Sequence, residues 1–502
     1  MDWIAITDEI DGFMYTYVLV ILLVAAGIYF SVRTKFVQVR YFKDMFKHIT
    51  EKKHDKDGKA ISSFQAMMIS TASRVGTGNI AGVATAIAAG GPGAVFWMWL
   101  MAILGSASAF VESTLAQTWK VKNSDGSFRG GPAYYIEQVL HKRWLGVVFA
   151  ISLILCFALG FNGLQAFNTA SSLEYYFPDY ATNGMAAFVG IILAALFAVS
   201  IFGNNESLSK ITSAIVPAMA LVYIALALAV IFMNLGLLPQ VFAVIFQSAF
   251  DFQSIFGGFA GSCVMMGIKR GLFSNEAGMG SAPNAAASAS VSHPVKQGLI
   301  QSLSVFIDTL VLCTCSALMV IVFCVADPAA AAGVTGIPLV QMAVSNVFGQ
   351  NGIAVVTFAI WCFAFSSIIG NYYYAEQNFL FITKSKTALL VFRIFCLIVV
   401  FIGATNNIVL AWNLADIFMG FMAIINLIVI FMLGKWAFKI LDDYTEQRNA
   451  GKDPVFVASS IPGLPETECW KIEAEDLFSS DENPIKEYTK EVADAATQPL
   501  TK

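Results

Sequence analysis

Ser73-Arg74-Val75-Gly76-Thr77-Gly78-Asn79-Ile80 and Asn275-Glu276-Ala277-Gly278-Met279-Gly280-Ser281 decide how this chain is read. Each lies inside a stretch long and apolar enough to cross a bilayer, 62–89 and 263–295, and each contains Gly-x-Gly followed by a small polar side chain. Glycines so placed interrupt a helix rather than continue it. A helix broken at membrane depth leaves amides and carbonyls without intrahelical partners, which in hydrocarbon costs several kcal/mol per group. The break must then line a polar cavity or meet a ligand. A matched pair of breaks in two halves of one chain points to a binding site between repeats.

The surrounding composition is that of a polytopic membrane protein. Of 502 residues, 57% are hydrophobic and 13% charged, where soluble domains sit near a quarter charged. Apolar spans fall at 14–32, 62–89, 94–118, 144–176, 184–203, 208–233, 263–295, 297–325, 351–381, 387–404 and 408–434, eleven in all. The first is not a cleavable signal, since it lacks a basic leader and is followed by a basic stop. The segments 33–61, 119–143, 204–210, 296, 382–393 and 435–502 hold 27 of the 30 Lys and Arg, and all fall on one face of an eleven-span topology. That bias puts the N-terminus outside and the C-terminus in the cytoplasm, and the expected location is the plasma (inner) membrane. The three remaining cations, Arg74, Lys269 and Arg270, lie in the broken helices.

Gly76 to Asn234 spans 158 residues and Gly278 to Gly434 spans 156. Each half holds one broken helix and four further spans. Because five is odd, the second half enters the membrane from the opposite side, giving an inverted repeat. The expected organisation is 1–61, an extra N-terminal helix and basic loop; 62–234, the first five-helix repeat; 235–262, an extracellular connection; 263–434, the second repeat; and 435–502, an acidic cytoplasmic tail. From residue 440 onward there are 14 acidic and 6 basic residues, and 451–502 reads as loosely ordered. A rival second break, Gly267-Ile268-Lys269-Arg270-Gly271, stays open at this point. Gly278 is preferred for its matching pattern and spacing.

Three blocks resemble the alanine or glycine:cation symporters (sodium:alanine symporters): Val75 to Ala84, Gly90 to Trp99, and Lys269 to Pro283. The resemblance covers about residues 14–440. It implies an all-α leucine-transporter-type fold, one extra helix plus a five-plus-five inverted repeat. It also implies sodium or proton coupling and alanine or glycine as substrate.

A zwitterionic amino acid needs an anion site, a cation site and a small apolar pocket. Amides at Thr77, Gly78 and Asn79, at the start of a half-helix, suit the carboxylate. Carbonyls freed around Arg74, Gly76, Ala277 and Gly278 suit the ammonium, and Gly280 and Ser281 complete the second break. Glu276 reads either as a carboxylate for the ammonium or cation, or as the salt-bridge partner of Lys269 or Arg270. Arg74 reads as a structural or gating ion pair, or as a direct carboxylate ligand. Gln165 and Asn168, with Asn162 nearby, read as a polar cavity wall or as helix–helix glue, and Asn371 carries the same two readings. Met279 closes a methyl-sized pocket or merely fills space. The related fold implies a sodium site from the carbonyls of Ala72 and Val75 with the hydroxyls of Ser366 and Ser367. Such all-oxygen coordination suits a hard cation. Glu112, Asp308, Glu376 and Asp416 read as paired gate or interface residues, any of which could carry a proton.

No phosphate loop, dinucleotide fingerprint, nucleophile–base pair or metal quartet occurs. No enzyme activity, no bound cofactor and no nucleic-acid partner are expected, and nothing in the sequence signals an oligomeric state. The expected function is sodium-coupled uptake of alanine or glycine by alternating access, with lipid as the surroundings. The rivals are a proton-coupled symporter or exchanger of the same fold and, from other classes, an ion channel or an amino-acid sensor.

Overall fold

The computed structural model describes residues 3–51, 60–202, 205–252, 255, 258, 262–405 and 408–470, and these are mostly helical. In chain order the helices that matter are α1 (Ile4–Arg33), α2 (Phe42–Ile49), α3 (Ser63–Arg74), α4 (Ala81–Gly90), α5 (Ala94–Thr118) and α6 (Pro132–Leu140). Then come α7 (Arg143–Ser171), α8 (Met185–Ile201), α9 (Asn205–Met233), α10 (Leu238–Ala249), α11 (Cys263–Asn275) and α12 (Ala282–Ser288). The last four are α13 (Pro294–Ala326), α14 (Gly336–Ile382, two helical segments meeting at a kink at Gly349), α15 (Lys386–Ala404) and α16 (Ile408–Asn449). Among the described residues eight helices are long and apolar enough to cross a membrane. The three other expected spans correspond to the apolar 17-residue α8 and to the broken pairs α3/α4 and α11/α12.

Both breaks fall where the Gly-x-Gly runs place them. Ser62 and Gln65 cap α3 reciprocally, with Gln65 N donating to Ser62 Oγ at 3.2 Å and Ser62 N to Gln65 Oε1 at 2.9 Å. The helix ends at Val75 (ψ 80), a single 3₁₀ turn covers Thr77–Asn79, and α4 resumes. In the second pair α11 runs unbroken through Gly267 and Gly271, so the rival placement fails. Its C-cap is Glu276 at φ 55, followed by Gly278 at φ 86 and Gly280 at φ 82. At Gly370 α14 approaches α3 so closely that a Cβ would lie 2.6 Å from Ser73 N. That contact sets Ser367, one turn before it, and Asn371, the next residue, against the first break.

Four segments differ from the sequence reading. α1 starts ahead of residue 14, since the helix already covers Ile4. Here Ile4, Ile6, Ile10 and Phe13 face outward while Thr7 and Asp11 are buried, a pattern that lowers apparent hydropathy. The connection 235–262 contains α10. The second half-helix of the second pair, α12, stops at Ser288, because Ala289 is extended (ψ 143) and Ser290 N donates to Ile61 O at 3.0 Å. His293 is also extended, as the residue before Pro294 must be.

The fourth difference is the tail. Residues 451–470 are not loose; they dock on the basic end of the bundle, while 471–502 lie outside the described residues. Val455, Phe456, Val457 and Trp470 are buried. Phe456 N donates to Ser292 O at 2.9 Å, and the Trp470 indole donates to Gln117 O at 2.8 Å. Buried Lys296 reaches Glu51 at 3.0 Å and Asp453 at 2.9 Å. His48, beside this contact, hydrogen-bonds Tyr444 at 2.7 Å; burial first, then the Lys296 charge, push its imidazole down to about 4. Trp470→Ala removes a ring packed on Phe456 at 5.4 Å. Loss of a buried Trp costs about 3–5 kcal/mol, so limited trypsin digestion should cut after Lys452 much faster in that variant. Equal cleavage would show that the docking does not depend on the indole.

Candidate functional site

The two breaks meet at the centre of the bundle and are shut off from solvent: Thr77, Asn79, Glu276, Met279 and Ser281 are all buried. At the first break Gly76 N abandons the helical pattern and donates to Asn79 Oδ1 at 3.1 Å and to Arg74 O at 2.9 Å. The carbonyl of Ala72, which a continuing helix would have paired with Gly76, is instead approached by Ser367. The Ser367 hydroxyl lies 3.0 Å from Ala72 O and 3.4 Å from Val75 O. One hydroxyl proton serves one carbonyl well, so three oxygens converge with a shortage of donors. Ser366 turns elsewhere, donating to Phe363 O at 3.0 Å and approaching Met219 Sδ at 3.5 Å.

Gln165 and Asn168, on α7, both reach Thr77. Gln165 Oε1 accepts from Thr77 N at 3.0 Å and Thr77 Oγ1 at 2.9 Å, and Asn168 Nδ2 donates to Thr77 Oγ1 at 2.7 Å. A side-chain carbonyl oxygen thus occupies an amide expected to face a carboxylate. Asn79 Nδ2 donates to Asp308 Oδ1 at 2.6 Å, and Ser274 also bonds Asp308. Asp308 belongs to the π-helical stretch Phe306–Cys313 of α13, a local rewinding common at functional positions.

The second break is held by acids. Glu276 accepts from Ser73 Oγ at 2.7 Å and from Ser281 Oγ at 2.6 Å, so its side chain ties the two breaks together. It is not the partner of Lys269 or Arg270, which bond Asp11 and Asp416 instead. The same Ser73 hydroxyl oxygen lies 2.7 Å from Asn371 Oδ1, a second acceptor for its one proton, and Asn371 Nδ2 donates to Asn162 Oδ1 at 3.0 Å. Ala277 N donates to Asn275 Oδ1 at 3.0 Å. Glu112, from α5, accepts Gly278 N at 3.2 Å on Oε1 and Gly280 N at 3.0 Å on Oε2. Asn426 of α16 donates to Glu112 Oε2 at 2.7 Å and to Gly278 O at 2.8 Å, and Tyr135 OH fixes Asn426 at 2.7 Å.

Arg74 departs from the expected ion pair. Its Nη1 donates to Ser304 Oγ, while Nε and Nη2 are buried without partners, and no ion pair forms among the described residues. Its charge still acts on Glu112, Glu276 and Asp308. Ser73, Ser274, Ser304, Phe273 and Asn426 were not singled out in the sequence. A polar residue inside an apolar span was the signal for four of them, and Phe273 carried none.

The family described as the sodium:alanine symporter family matches residues 1–458. The "Probable sodium/glutamine symporter GlnT" of Bacillus subtilis (strain 168) is 47% identical over 92% of this chain and 95% of its own length. The "Amino-acid carrier protein AlsT" of the same organism is 47% identical over 93% and 97%. The "Sodium/alanine symporter AgcS" of Methanococcus maripaludis is 35% identical over 86% and 95%. Among solved structures, that of MhsT in complex with L-phenylalanine superposes with a TM-score of 0.56 at 14% identity, covering 78% of this chain and 96% of that one. That likeness establishes the leucine-transporter-type architecture. The protein is therefore a multi-pass membrane transporter and not an enzyme, and the chain belongs to the sodium:alanine symporter family.

Proposed function

We propose that this protein couples inward sodium movement to uptake of a small neutral amino acid, alanine or glycine, by alternating access, with its charge-poor face outside and its C-terminus in the cytoplasm. The observation that carries the coupling is the convergence of Ala72 O, Val75 O and Ser367 Oγ. A hard cation would satisfy the lone pairs that one hydroxyl proton leaves over. The substrate carboxylate would take the amides of Thr77 and its neighbours by displacing Gln165 Oε1. Its ammonium would meet carbonyls at the two breaks, with Glu276 as counter-charge. A Cβ at Gly76 would meet the Ser367 hydroxyl and Gln165, and one at Gly78 the Phe273 ring, so the first break has no space for a large substrate side chain.

The energetics suffice. One cation crossing 100 mV contributes about 2.3 kcal/mol and a tenfold gradient about 1.4, together enough for roughly 500-fold accumulation of a neutral solute. Coupling follows when sodium and substrate both favour the closed arrangement, since each shifts populations only through differential affinity.

The test separates the two serines. Ser367→Ala should raise the sodium concentration for half-maximal uptake by about tenfold, the worth of one ligand at roughly 1.4 kcal/mol. Ser366→Ala should change it far less. Wild-type sodium dependence in Ser367→Ala would remove the cation site. GlnT's name adds glutamine to the substrate panel, and uptake of labelled alanine, glycine and glutamine under imposed sodium or pH gradients decides both substrate and coupling ion. A response to the pH gradient alone would favour proton coupling through a buried acid such as Glu276.

A further inference from the structure

Toward the charge-poor end, a second buried charge cluster lies just beyond the break on α11. Lys269 Nζ bonds Asp11 Oδ2 and lies 2.8 Å from Asp416 Oδ2, and Arg270 bonds that same Asp416 oxygen. Asp11, Lys269, Arg270 and Asp416 are each no more than 6% exposed. The Arg270 guanidinium stacks 4.1 Å over Trp412 and reaches 5.9 Å from the Phe273 ring, which in turn covers Gly78. The cluster therefore caps the path from the charge-poor end to the first break.

We propose that Asp11, on the helix that precedes the two repeats, is a positioning residue of a charge gate closing the charge-poor side of the site. The proposal rests on the symport reading above. Both cations sit on α11, and both carboxylates sit on the α1–α16 pair. Those two helices are joined by the Tyr15 hydroxyl donating to Asp416 O at 3.3 Å and by Asn413 donating to Thr7 Oγ1 at 3.2 Å. One seam thus separates acids from bases. With Asp416 alone, two cations would share one buried carboxylate, leaving an uncompensated charge. Asp11 balances it, and removing one partner of a buried pair is strongly destabilising. The pairing is also incomplete. Asp11 Oδ1, Asp416 Oδ1, Arg270 Nε and Arg270 Nη1 are buried without partners. An under-satisfied network of this kind holds the seam shut less firmly than a bidentate pair would, as a gate that must open requires. The helix outside the repeat is then part of the gate.

Cys313 reports on the gate. It is buried beneath the cluster, with its sulfur 3.0 Å from Ser274 Oγ and 3.4 Å from Asn79 Nδ2. In a protein whose sole cysteine is Cys313, labelling by a membrane-impermeant thiol reagent is measured in intact cells and in inside-out vesicles. Asp11→Asn should raise the labelling rate about tenfold from one side of the membrane only. Asp11→Glu should keep the parent rate. Asp11→Asn combined with Lys269→Met restores charge balance through Arg270–Asp416 and should return labelling toward the parent. Where Asp11→Asn alone fails to accumulate, recovery of the double variant supports the same balance. Parent-rate labelling in Asp11→Asn, or a double variant no better than the single, overturns the proposal. Labelling needs no substrate. If uptake proves independent of sodium while the labelling pattern holds, the coupling reading falls and the gate stands.

Discussion

Glu112→Ala is expected to remove most of the transport activity and a large part of the stability. Its carboxylate is the acceptor for two amides of the second break, Gly278 N on one oxygen and Gly280 N on the other, and for Asn426 Nδ2. Each of these three buried donors left without an acceptor costs about 1–3 kcal/mol, so the truncation should cost about 3–9 kcal/mol. Thermal unfolding in detergent should shift down by roughly 3–9 °C, about 1 °C per kcal/mol for a chain of this size. Uptake should fall below roughly a tenth of wild type, because Gly278 and Gly280 fix where Glu276 and Ser281 stand relative to the first break.

The amide variant is informative. Glutamine offers one acceptor oxygen and an NH2 group, so Glu112→Gln keeps one amide satisfied and sets a donor against the other. It should fall between wild type and Glu112→Ala in both measurements. Two separate acceptors explain why a carboxylate stands there at all. A folded Glu112→Ala protein with wild-type uptake would show that the break holds itself without α5.

Much of this site was legible because a broken helix announces itself. The Gly-x-Gly runs located both interruptions, and the matched spacing favoured Gly278 over the rival at Gly267, which the unbroken α11 then ruled out. Helical phase also placed Asn371 on the face of Ser367, four residues away. The same phase separates Ser366 from Ser367 by about 100°, yet a sequence does not say which of the two faces the break. Packing at Gly370 decides it.

What stayed hidden depends on contacts between distant residues. Glu276 has two cations within seven residues, and a salt bridge was a fair reading. Those cations turn to Asp11 and Asp416, which the chain brings in from far away. Glu112 was read as a gate or interface acid, since nothing local reveals that its oxygens meet amides 166 and 168 residues on. The docked tail had a signal in Val455-Phe456-Val457 and Trp470, outweighed by its acidic, proline-containing surroundings. The half-helix α12 was expected, but its early end at Ser288 was not, because Ala285 to Ala289 favours helix on propensity alone, and tertiary contacts override it.

Gly78→Val should abolish substrate binding while leaving a protein that purifies as a single species. A Cβ at Gly78 would overlap the Phe273 ring. That ring cannot withdraw easily, for it packs against Phe161 at 4.6 Å and Trp412 at 5.2 Å between centroids. Overpacking of this kind costs about 1–3 kcal/mol, and here the strain falls on the turn whose amides are proposed to hold the carboxylate. Gly78→Ala should weaken binding about tenfold, the equivalent of roughly 1.4 kcal/mol, and valine should do far more. The obstruction is steric, so trimming its partner should relieve it: Phe273→Ala in the Gly78→Ala background should recover part of the lost affinity. Equilibrium binding of the transported amino acid at saturating sodium checks the series. Unchanged affinity in Gly78→Val would move the substrate away from the first break. Loss without recovery in the double variant would mean that Phe273 itself covers the bound amino acid.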